Sequence, residues 1–425
     1  MRVLLTGASG FIGQHLGAAL RRSGHTVVCA MRAPAPPFMA TCDDVVSADF
    51  TRDFSAAVWL PRLRGIDAVI NSVGILREQG SQTFRSLHVQ APSALFDACV
   101  QADVRRVINI SALGADEHAR SAYHLSKRRA DEHLASLALS WTIVQPSLVY
   151  GPGGASARLF DALASAPLIP LPDGGTQLVQ PIHIDDLVAG ITEALANALT
   201  HKQVIPFVGP AAISLREYLA LLRHSMNLGA AHIISIPTPL VRLIGRVSAR
   251  LPGAFLDADT LGMLERGSIG DAGAITHLLH RRPRAPDQFI APGEAGATRK
   301  IAQLSWLLPM LRVSIAFVWI ATAIVSLGLF PSSSSYALLL RVGVPAALAP
   351  LFLYGAAALD LALGLATLLM RRRRALWLAQ MALILSYTLI ITLRMPEFWL
   401  HPYGPLLKNL PMLAAILTLH TLERR

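Results

Sequence analysis

The sequence predicts an α/β protein: a parallel sheet covered by helices, with a small substrate lobe, followed by a four-helix transmembrane bundle. Three observations predict this fold. A glycine-rich turn joins an apolar strand to an amphipathic helix near the N-terminus, strand-like runs alternate with helical segments through the first half of the chain, and long apolar runs fill its C-terminal part. We place the domain boundaries at 1–210, 211–303 and 304–425.

The composition requires part of the surface to face lipid. The mean hydropathy is +0.46 and only 15% of the residues are charged, which leaves too little polar surface to cover a soluble body. A net charge of +11 would suit nucleic acid, but residues 304–425 hold 10 Lys or Arg against 3 Asp or Glu, so much of the excess lies in the apolar tail. We therefore predict membrane lipid as a partner and no nucleic acid.

The chain has three cysteines, Cys29, Cys42 and Cys99. None lies in a CxxC spacing, so the sequence argues against a disulfide framework and against a zinc site, and we expect no metal. Unpaired cysteines suit a reducing compartment. The N-terminus, MRVLLTGASG, has no charged segment followed by a long apolar one, so we expect the N-terminal domain in the cytoplasm.

Four apolar segments are predicted to cross the membrane, at 313–330, 346–370, 375–393 and 405–421. The run Arg371 to Arg374 separates the second from the third. With four crossings, this run and the C-terminal ERR lie inside, in agreement with the positive-inside rule. A nucleic-acid patch would need an exposed face, whereas apolar sequence adjoins this run on both sides. The predicted location is the cytoplasmic (inner) membrane, crossed several times.

The segment RVLLTGASGFIGQHLGAALRRSG carries glycines at the spacing GxxGxxG, a variant of the Rossmann dinucleotide fingerprint. The glycines permit a tight turn, a close approach of the backbone to a pyrophosphate and close packing of helix on strand. The phosphates would bind the free N–H groups at the helix N-terminus. The predicted cofactor contacts in this turn are Gly7, Ser9, Gly10, Phe11, Ile12 and Gly13.

The second predicted strand ends in Arg32, where an acidic residue would normally bind the ribose 2′-OH of NAD. A cation at this position favours a 2′-phosphate, so NADP(H) is the preferred cofactor and NAD(H) is possible. The alternative is a solvated arginine at a strand end. Residues 1–210 are accordingly predicted to be an NADP(H)-binding domain of the Rossmann type.

Several motifs resemble those of the short-chain dehydrogenase/reductase superfamily, in its extended and atypical branches: TGASGFIG at 6–13, NSVG at 71–74, YHLSK at 123–127 and QPIHIDDLV at 180–188. SALGAD and QPSLVYGPGG are most similar to the branch with the nucleotide-binding accessory subunit of respiratory complex I. The tail, with HPYGPLLKNLPML at 401–413, resembles a DoxX-type membrane domain, a family linked to membrane redox chemistry.

Tyr123 and Lys127 lie four residues apart in a helix-compatible run, so they share a helix face. A nearby ammonium lowers the pKa of a phenol, which would let Tyr123 exchange a proton with a carbonyl oxygen. The resemblance implies that Lys127 also binds the nicotinamide ribose and that Ser111 orients the substrate oxygen. These three are the predicted catalytic residues, and Tyr123 and Lys127 are also predicted cofactor contacts. The alternative is a tyrosine packed in the core and a solvated lysine.

Other positions carry weaker predictions. By resemblance Asp49 contacts the adenine, although a cap or turn explains it almost equally well. Asn71 and Gly74 are expected to let the backbone approach the cofactor, and Pro146 to shape the nicotinamide end of the pocket. The segment HIDD at 183–186 is assigned to helix capping, and the basic residues of 280–284 to a solvated or headgroup-facing loop.

Asp360 lies within the second predicted crossing. A charge there must face the bundle interior and find a partner or a proton, and Arg341, Arg394 and Lys408 are the available cations. A quinone or proton site and an interhelical hydrogen bond are both open for this residue.

Two classes of function remain. The first is a membrane-anchored NAD(P)H-dependent oxidoreductase that reduces a carbonyl or quinone-like apolar substrate at the cytoplasmic membrane surface. The second is a non-catalytic nucleotide-binding structural or assembly subunit of a membrane redox complex. A nucleotide-sugar epimerase or dehydratase is a third, weaker alternative. The predicted partners are a small apolar molecule and membrane lipid, with a membrane redox protein as a further candidate.

Overall fold

The structure is a computed structural model that describes residues 1–32, 40–248, 262, 264 and 266–423. The chain divides into two compact units, Met1–Ala302 and Gln303–Arg425. The strands of the main sheet, all in the first unit, are β1 (Arg2–Thr6), β2 (Thr26–Met31), β3 (Asp44–Ser47), β4 (Ala68–Asn71), β5 (Arg106–Ile110), β6 (Trp141–Pro146) and β11 (Gln203–Phe207).

The seven strands form one parallel sheet in the order β11-β6-β5-β4-β1-β2-β3. Strands buried on both faces of a parallel sheet need continuous apolar runs, and VLL in β1 and VVCA in β2 are fully covered. The order reverses between β1 and β4. In such sheets ligands bind at this switch point, beside the carboxyl ends of the strands. The predicted parallel sheet is confirmed.

Helices cover both faces of this sheet and connect its strands. They are α1 (Phe11–Arg22), α2 (Ala56–Trp59), α3 (Ala91–Gln101), α4 (Ala122–Ser136) and α6 (Ile184–Ala196), while α5 (Ala155–Ser165) packs in the core of the smaller lobe. A π-helical turn, Arg85–Gln90, leads into α3, and short 3-10 turns span Leu60–Leu63, Asp173–Gly175 and Ala198–Thr200. One apolar core lies on each face: α1 and α6 pack on the first, and α3 with Trp59 on the second.

A smaller lobe has its own apolar core around Tyr218 and Leu222. Its strand pairs are β7 (Val149–Tyr150) with β10 (Ile182–His183), β9 (Leu178–Val179) with β12 (Ile213–Ser214), and β8 (Leu168–Pro172) with β13 (His232–Ile236). Its helices are α7 (Leu215–Ser225), which starts with a capping box between Ser214 and Glu217, and α8 (Thr238–Ser248).

The segment after the lobe returns to the main sheet. Helix α9 (Gly273–Leu279) places Ile275 and Leu278 in the core shared by α1 and α6, and a 3-10 turn follows at Pro286–Gln288. Arg281 then pairs with the fully buried Asp186, and Arg284 donates a 2.7 Å bond to Asp185. Arg281 is exposed and Arg284 half-buried, in keeping with the expected solvated loop, but the expectation missed their ion pairs, because the carboxylate partners lie almost 100 residues away in sequence.

Cys29 and Cys42 form a disulfide, with their Cα atoms 5.8 Å apart. Cys99 is a buried free thiol. The expectation that no disulfide forms is wrong. Sequence spacing does not show that β2 and the residues before β3 lie side by side, and the parallel pairing of these two strands brings the cysteines within bonding distance. The cysteines therefore do not support a reducing compartment.

The helices of the C-terminal part are α10 (Ala295–Ile324), α11 (Ser332–Val342), α12 (Ala349–Leu369), α13 (Arg374–Arg394) and α14 (Asn409–Leu422), with a π-helical turn at Val325–Leu329 and 3-10 turns at Ala346–Leu348 and Pro396–Trp399. Among the described residues, three helical segments are long and apolar enough to cross a membrane: Ala295–Leu329, Ala346–Leu369 and Arg374–Arg394. The four-helix count is not confirmed, since α14 has only 14 residues and reaches about 21 Å. Arg424 and Arg425, which the topology prediction includes, lie outside the described residues.

Asp360 lies at the middle of α12 and is 7% exposed. Its Oδ1 atom has no hydrogen-bond partner among the described residues. Of the cations expected to neutralise it, Arg341 pairs instead with Glu397. One turn further on, Gly364 lets α12 approach α10 closely, because a Cβ there would lie 2.6 Å from Ile320.

Candidate functional site

The glycine turn after β1 is built as the fingerprint requires. Gly7 has φ +68°, a conformation that L side chains rarely adopt, and a Cβ on it would lie 2.8 Å from the backbone of Ser72. A Cβ on Gly13 would lie 2.1 Å from the carbonyl oxygen of Gly7, so α1 packs against the turn itself. The N–H of Gly10 donates to the same oxygen at 2.8 Å. Side chains at Gly7 and Gly13 would fill the cradle.

Helix α1 begins in this cradle without a side-chain cap. Its N-cap is Gly10, and no side chain accepts from the first-turn N–H groups. Free donors and the positive end of the helix dipole suit a pyrophosphate, so these residues fit a dinucleotide. Ser9 and Gly10 are exposed at the mouth of the turn, while Phe11 and Ile12 are half-buried. Phe11 lies against Gly151 and Gly154 across the cradle.

The end of β2 holds the residues expected at the adenosine end of a cofactor. Arg32 is exposed and close enough to Asp49 to lower the pKa of that carboxyl. Burial acts in the opposite direction, and the hydrogen bonds from Thr51 reinforce the lowering. Asp49 Oδ1 accepts from both the N–H (2.9 Å) and the hydroxyl (2.7 Å) of Thr51. The turn interpretation of Asp49 is therefore realised, and its contact with adenine stays a prediction.

Buried polar side chains run beneath the carboxyl ends of β1, β4 and β5. The hydroxyl of Thr6 donates to Asn71 Oδ1 at 2.7 Å, the amide of Asn71 donates to Asn109 Oδ1 at 2.8 Å, and the amide of Asn109 donates to Asp131 Oδ1 at 2.8 Å. Asn71 is 2% exposed, so its side chain belongs to this row. Only its backbone remains for the predicted approach to a cofactor.

Ser111 follows β5 and is buried. Its hydroxyl donates to Asp131 Oδ2 in a short hydrogen bond. Asp131, on α4, thus accepts from two groups of β5, Asn109 and Ser111. Sequence reasoning did not identify Asp131, although its position four residues after Lys127 on the same helix face could have drawn attention to it.

Lys127 is buried against the sheet edge. Its ammonium donates to the carbonyl oxygens of Ile110 at 3.0 Å and Val73 at 3.3 Å. Burial lowers the pKa of Lys127 to about 8, and the carboxylate of Asp131 acts in the opposite direction. Gly74 lies directly beside it, since a Cβ there would lie 3.1 Å from Nζ. The alternative of a solvated lysine is ruled out.

Tyr123 stands at the N-terminal end of α4 with its ring against those of Phe84, His88 and His124. Its hydroxyl makes no hydrogen bond to any described residue, and the side chain is half-buried. Burial raises the pKa of Tyr123 to about 12, and the carboxylate of Asp131 adds to this. The expectation that this pKa is lowered is not met, because burial and the charge of Asp131 both raise it. At neutral pH the phenol is an acid that holds its proton.

His88 is a second residue that sequence reasoning missed. Its Nε2 accepts the N–H of Ile75 at 3.0 Å, so the proton must lie on Nδ1, which bonds Ser126 Oγ at 2.8 Å. Burial, with the charge of Lys127, lowers the pKa of His88 to about 2 and keeps the ring neutral. His88 therefore links the loop after β4 to α4 and fixes Tyr123 through its ring.

Pro146 ends β6 and is buried. Its carbonyl accepts the N–H of Leu113 at 3.0 Å, which joins the end of β6 to the loop after β5. The place of Pro146 at the nicotinamide end of the pocket stays a prediction. Arg266 holds the same loop from the lobe by donating to Gly114 O at 2.8 Å and to both oxygens of Asp116 at 2.6 Å.

The segment HIDD serves the fold. His183 is the N-cap of α6, and its ring nitrogen accepts the N–H of Asp185 at 3.2 Å. The capping assignment is confirmed. Within the described residues, no three His, Cys, Asp or Glu side chains are arranged to hold a metal ion.

Comparison with known proteins agrees with this geometry. Residues 3–205 match the NAD dependent epimerase/dehydratase family, and residues 316–417 match the DoxX-like family. The chain is 29% identical over 285 residues to the ceramide reductase of Caulobacter vibrioides. The aligned region covers 65% of this chain and 84% of that protein. It is 25% identical over 279 residues to the mitochondrial NADH dehydrogenase 1 alpha subcomplex subunit 9 of Rattus norvegicus. This alignment covers 62% of this chain and 71% of that protein.

Solved structures show the same fold. An NADPH-dependent quinone oxidoreductase from Escherichia coli, crystallised with NADPH, superposes with a TM-score of 0.56 at 17% identity, over 68% of this chain and 98% of that one. At this identity the likeness concerns the fold alone.

The first unit thus contains an NAD(P)-binding domain of the Rossmann type. Residues 3–205 form a domain of the NAD-dependent epimerase/dehydratase type, with reductases and complex I subunits among its relatives, and a DoxX-like domain follows at 316–417. Both resemblances inferred from the sequence are confirmed. The DoxX-like domain and the three long apolar helices indicate association with a membrane.

Proposed function

We propose that this protein is a membrane-anchored reductase that uses NADPH to reduce a carbonyl of an apolar, lipid-like substrate at the cytoplasmic surface of the inner membrane. The observation that carries this proposal is the hydroxyl of Tyr123. It has no hydrogen-bond partner among the described residues, it keeps its proton at neutral pH, and its helix places Lys127 beside Gly74 at the switch point of a Rossmann sheet.

A bound reduced nicotinamide would supply a hydride to the carbonyl carbon. Tyr123 would donate its proton to the carbonyl oxygen, so that the C=O group becomes CH–OH and the charges balance. Lys127, with donors already given to Ile110 and Val73, has a third N–H for a ribose hydroxyl. Its positive charge would stabilise the phenolate that remains on Tyr123 until solvent returns a proton.

Two features support a lipid-like substrate. The ceramide reductase relative is named for a long-chain amide lipid, and it matches over 84% of its own length. The apolar helices keep the present chain at a membrane, where such a substrate is concentrated. NADPH is proposed over NADH because Arg32 supplies the cation at the end of β2.

A second candidate is a nucleotide-binding subunit of a membrane redox complex that has no turnover. The likeness to the complex I subunit favours it. The hydrogen bond that commits the Ser111 hydroxyl to Asp131 also favours it, because that proton is withdrawn from the pocket.

The test is NADPH oxidation by the full-length protein in lipid nanodiscs, with a long-chain ketoamide lipid, a short quinone and a nucleotide sugar as separate substrates. The reductase proposal expects turnover with the ketoamide lipid. Tyr123→Phe should lower kcat by about 10²-fold or more, while the affinity for NADPH is unchanged. Tyr403→Phe, at a site that is 77% exposed in the C-terminal unit, is the matched control and should keep full activity.

Three results would contradict the reductase proposal. Nucleotide binding without oxidation of NADPH by any substrate would favour the structural subunit. Conversion of the nucleotide sugar alone, followed by product analysis because an epimerase or dehydratase consumes no net NADPH, would favour an epimerase or dehydratase. Full activity of Tyr123→Phe would exclude this tyrosine as the acid.

A further inference from the structure

We propose that Asp131 is a positioning residue that decides whether the hydroxyl of Ser111 donates into the protein or into the substrate pocket. This inference rests on the proposed function for its kinetic consequence and on geometry for its origin. Asp131 accepts from the amide of Asn109 at 2.8 Å and from the hydroxyl of Ser111. Both donors come from the end of β5, and Asp131 reaches them from α4 one turn after Lys127.

A serine hydroxyl has one proton and two lone pairs. Because Ser111 gives its proton to Asp131, only its lone pairs remain for a molecule in the pocket. Ser111 can then accept from an alcohol or from the hydroxyl of Tyr123, but it cannot donate to a carbonyl oxygen. A carbonyl substrate is left with Tyr123 as its donor, whereas an alcohol product finds an acceptor in Ser111.

A proton on Asp131 removes this constraint. A neutral carboxylic acid can donate its own O–H to Ser111 Oγ, which frees the serine proton to turn toward the pocket. The charged groups that act on Asp131 are Lys127 and Glu132, both on α4, and Asp131 in turn acts on Tyr123. The facing strand contributes the neutral donors Asn109 and Ser111. Burial raises the pKa of Asp131 to about 7 against the lowering effects of Ser111, Lys127 and Asn109, which puts the reversal within the neutral range.

The variant Asp131→Asn should mimic the protonated state. Its carbonyl oxygen can still accept from Asn109, while its amide N–H would donate to Ser111 Oγ and turn the serine proton outward. With NADPH and a carbonyl substrate, we expect a lower KM at pH 8 than in the wild type and a loss of the pH dependence of KM between pH 6 and pH 8. A role in folding alone would alter stability without removing the pH dependence.

A second measurement does not depend on turnover. Infrared difference spectra of the full-length protein in nanodiscs, recorded during a pH titration, report the C=O stretch of protonated carboxyl groups. A band that titrates near neutral pH in the wild type should be absent in Asp131→Asn. In Ser111→Ala the same band should titrate at higher pH, because the carboxylate has lost a donor that stabilises its charge. Ser111→Cys, a weaker donor, should shift it in the same direction if the alanine variant does not fold.

Asp161→Asn is the control, since Asp161 is another half-buried carboxyl, bonded to Tyr150 rather than to β5. The band assigned to Asp131 should persist in it. If Asp131→Asn keeps the neutral band, or if the band does not move in Ser111→Ala, Asp131 does not govern Ser111 and the inference is overturned. If the spectra behave as expected but no carbonyl is reduced, the positioning role stands and the reductase proposal fails.

Discussion

The ammonium of Lys127 lies 3.0 Å from the carbonyl oxygen of Ile110. This bond ties α4 to the end of β5, so the lysine anchors the helix that carries Tyr123 and also presents a charge to the pocket. Replacing Lys127 therefore affects both the position of α4 and the charge in the pocket.

Lys127→Met keeps most of the side-chain volume and removes the charge. Two buried carbonyl oxygens lose their donor, and Asp131 loses the nearest positive charge. We expect kcat to fall by about 10²-fold or more and the affinity for NADPH to weaken. Isothermal titration calorimetry and the oxidation assay measure the two effects. Arg129→Met, at an exposed site on the same helix, should change neither, and wild-type NADPH affinity in Lys127→Met would exclude the ribose contact.

Gly13→Ala tests the cradle. The added methyl group would lie 2.1 Å from the carbonyl oxygen of Gly7, so the turn must open or α1 must move away. We expect NADPH binding to be lost and thermal unfolding to occur at a lower temperature. Gly229→Ala is the control, because nothing lies within 4 Å of a Cβ there. Normal nucleotide binding by Gly13→Ala would place the pyrophosphate elsewhere.

Arg32→Asp tests the choice of cofactor. If Arg32 binds a 2′-phosphate, the change removes a cation and adds a repelling charge, and the Kd for NADPH should rise by about 10²-fold while that for NADH changes much less. Arg52→Asp is a matched control, since Arg52 also lies beside Asp49, at 3.9 Å, and is exposed. Equal losses for both nucleotides in Arg32→Asp would leave the arginine without a role in selection.

Asp161 makes the stability of the folded protein depend on pH. Tyr150 donates to it at 3.0 Å, and burial raises its pKa to about 6. Between about pH 4 and pH 6 the folded state binds more protons than the unfolded state, so stability should fall as the pH rises, by ~3 kcal/mol in all. Asp161→Asn should flatten the unfolding temperature over this window. Asp287→Asn, at an exposed site, should not, and an unchanged slope in Asp161→Asn would assign the dependence to another group.

The topology of the C-terminal helices can be measured with reporter fusions. A fusion after Arg372 should report the cytoplasm and a fusion at Ser333 the opposite side, because two crossings separate the N-terminal domain from the arginine run. A fusion after Arg425 decides whether α14 crosses: it should report the cytoplasm in the four-crossing arrangement and the opposite side if three helices cross. A cytoplasmic signal at Ser333 would contradict both arrangements.

The backbone features of the site were predictable from the sequence. GxxGxxG after an apolar run determines the turn and the helix start through local limits: Gly7 has a positive φ, and Gly13 lies against the carbonyl oxygen of Gly7. The contact of Gly7 with Ser72 is long-range and was not part of that prediction. Tyr123 and Lys127 were predictable for a similar reason, because helix periodicity places them on one face.

The long-range contacts were not predictable. His88 and Ser126 are 38 residues apart, and so are Asn71 and Asn109. Parallel strand pairing brings the two asparagines together, and the packing of two helical segments brings His88 to Ser126. Nothing in the local sequence shows which polar residue will meet which. The raised pKa of Tyr123 was not predictable either. It depends on burial by Phe84 and His88 and on the charge of Asp131, whereas the sequence analysis considered only Lys127.

In the row of side chains from Thr6 to Asp131, each residue donates a hydrogen bond to the next one. The amide oxygen of each asparagine accepts from the residue on the β1 side, and its amide nitrogen donates to the residue on the α4 side. An asparagine turned the other way would set two donors or two acceptors face to face. The carboxylate of Asp131 can only accept, so it is this end of the row that fixes the direction, and the hydroxyl of Thr6, which can donate or accept, completes it. The same carboxylate that holds the Ser111 hydroxyl therefore also orients the amides of two strands, and a valine at Thr6 would leave Asn71 Oδ1 without its donor while the later bonds keep their direction.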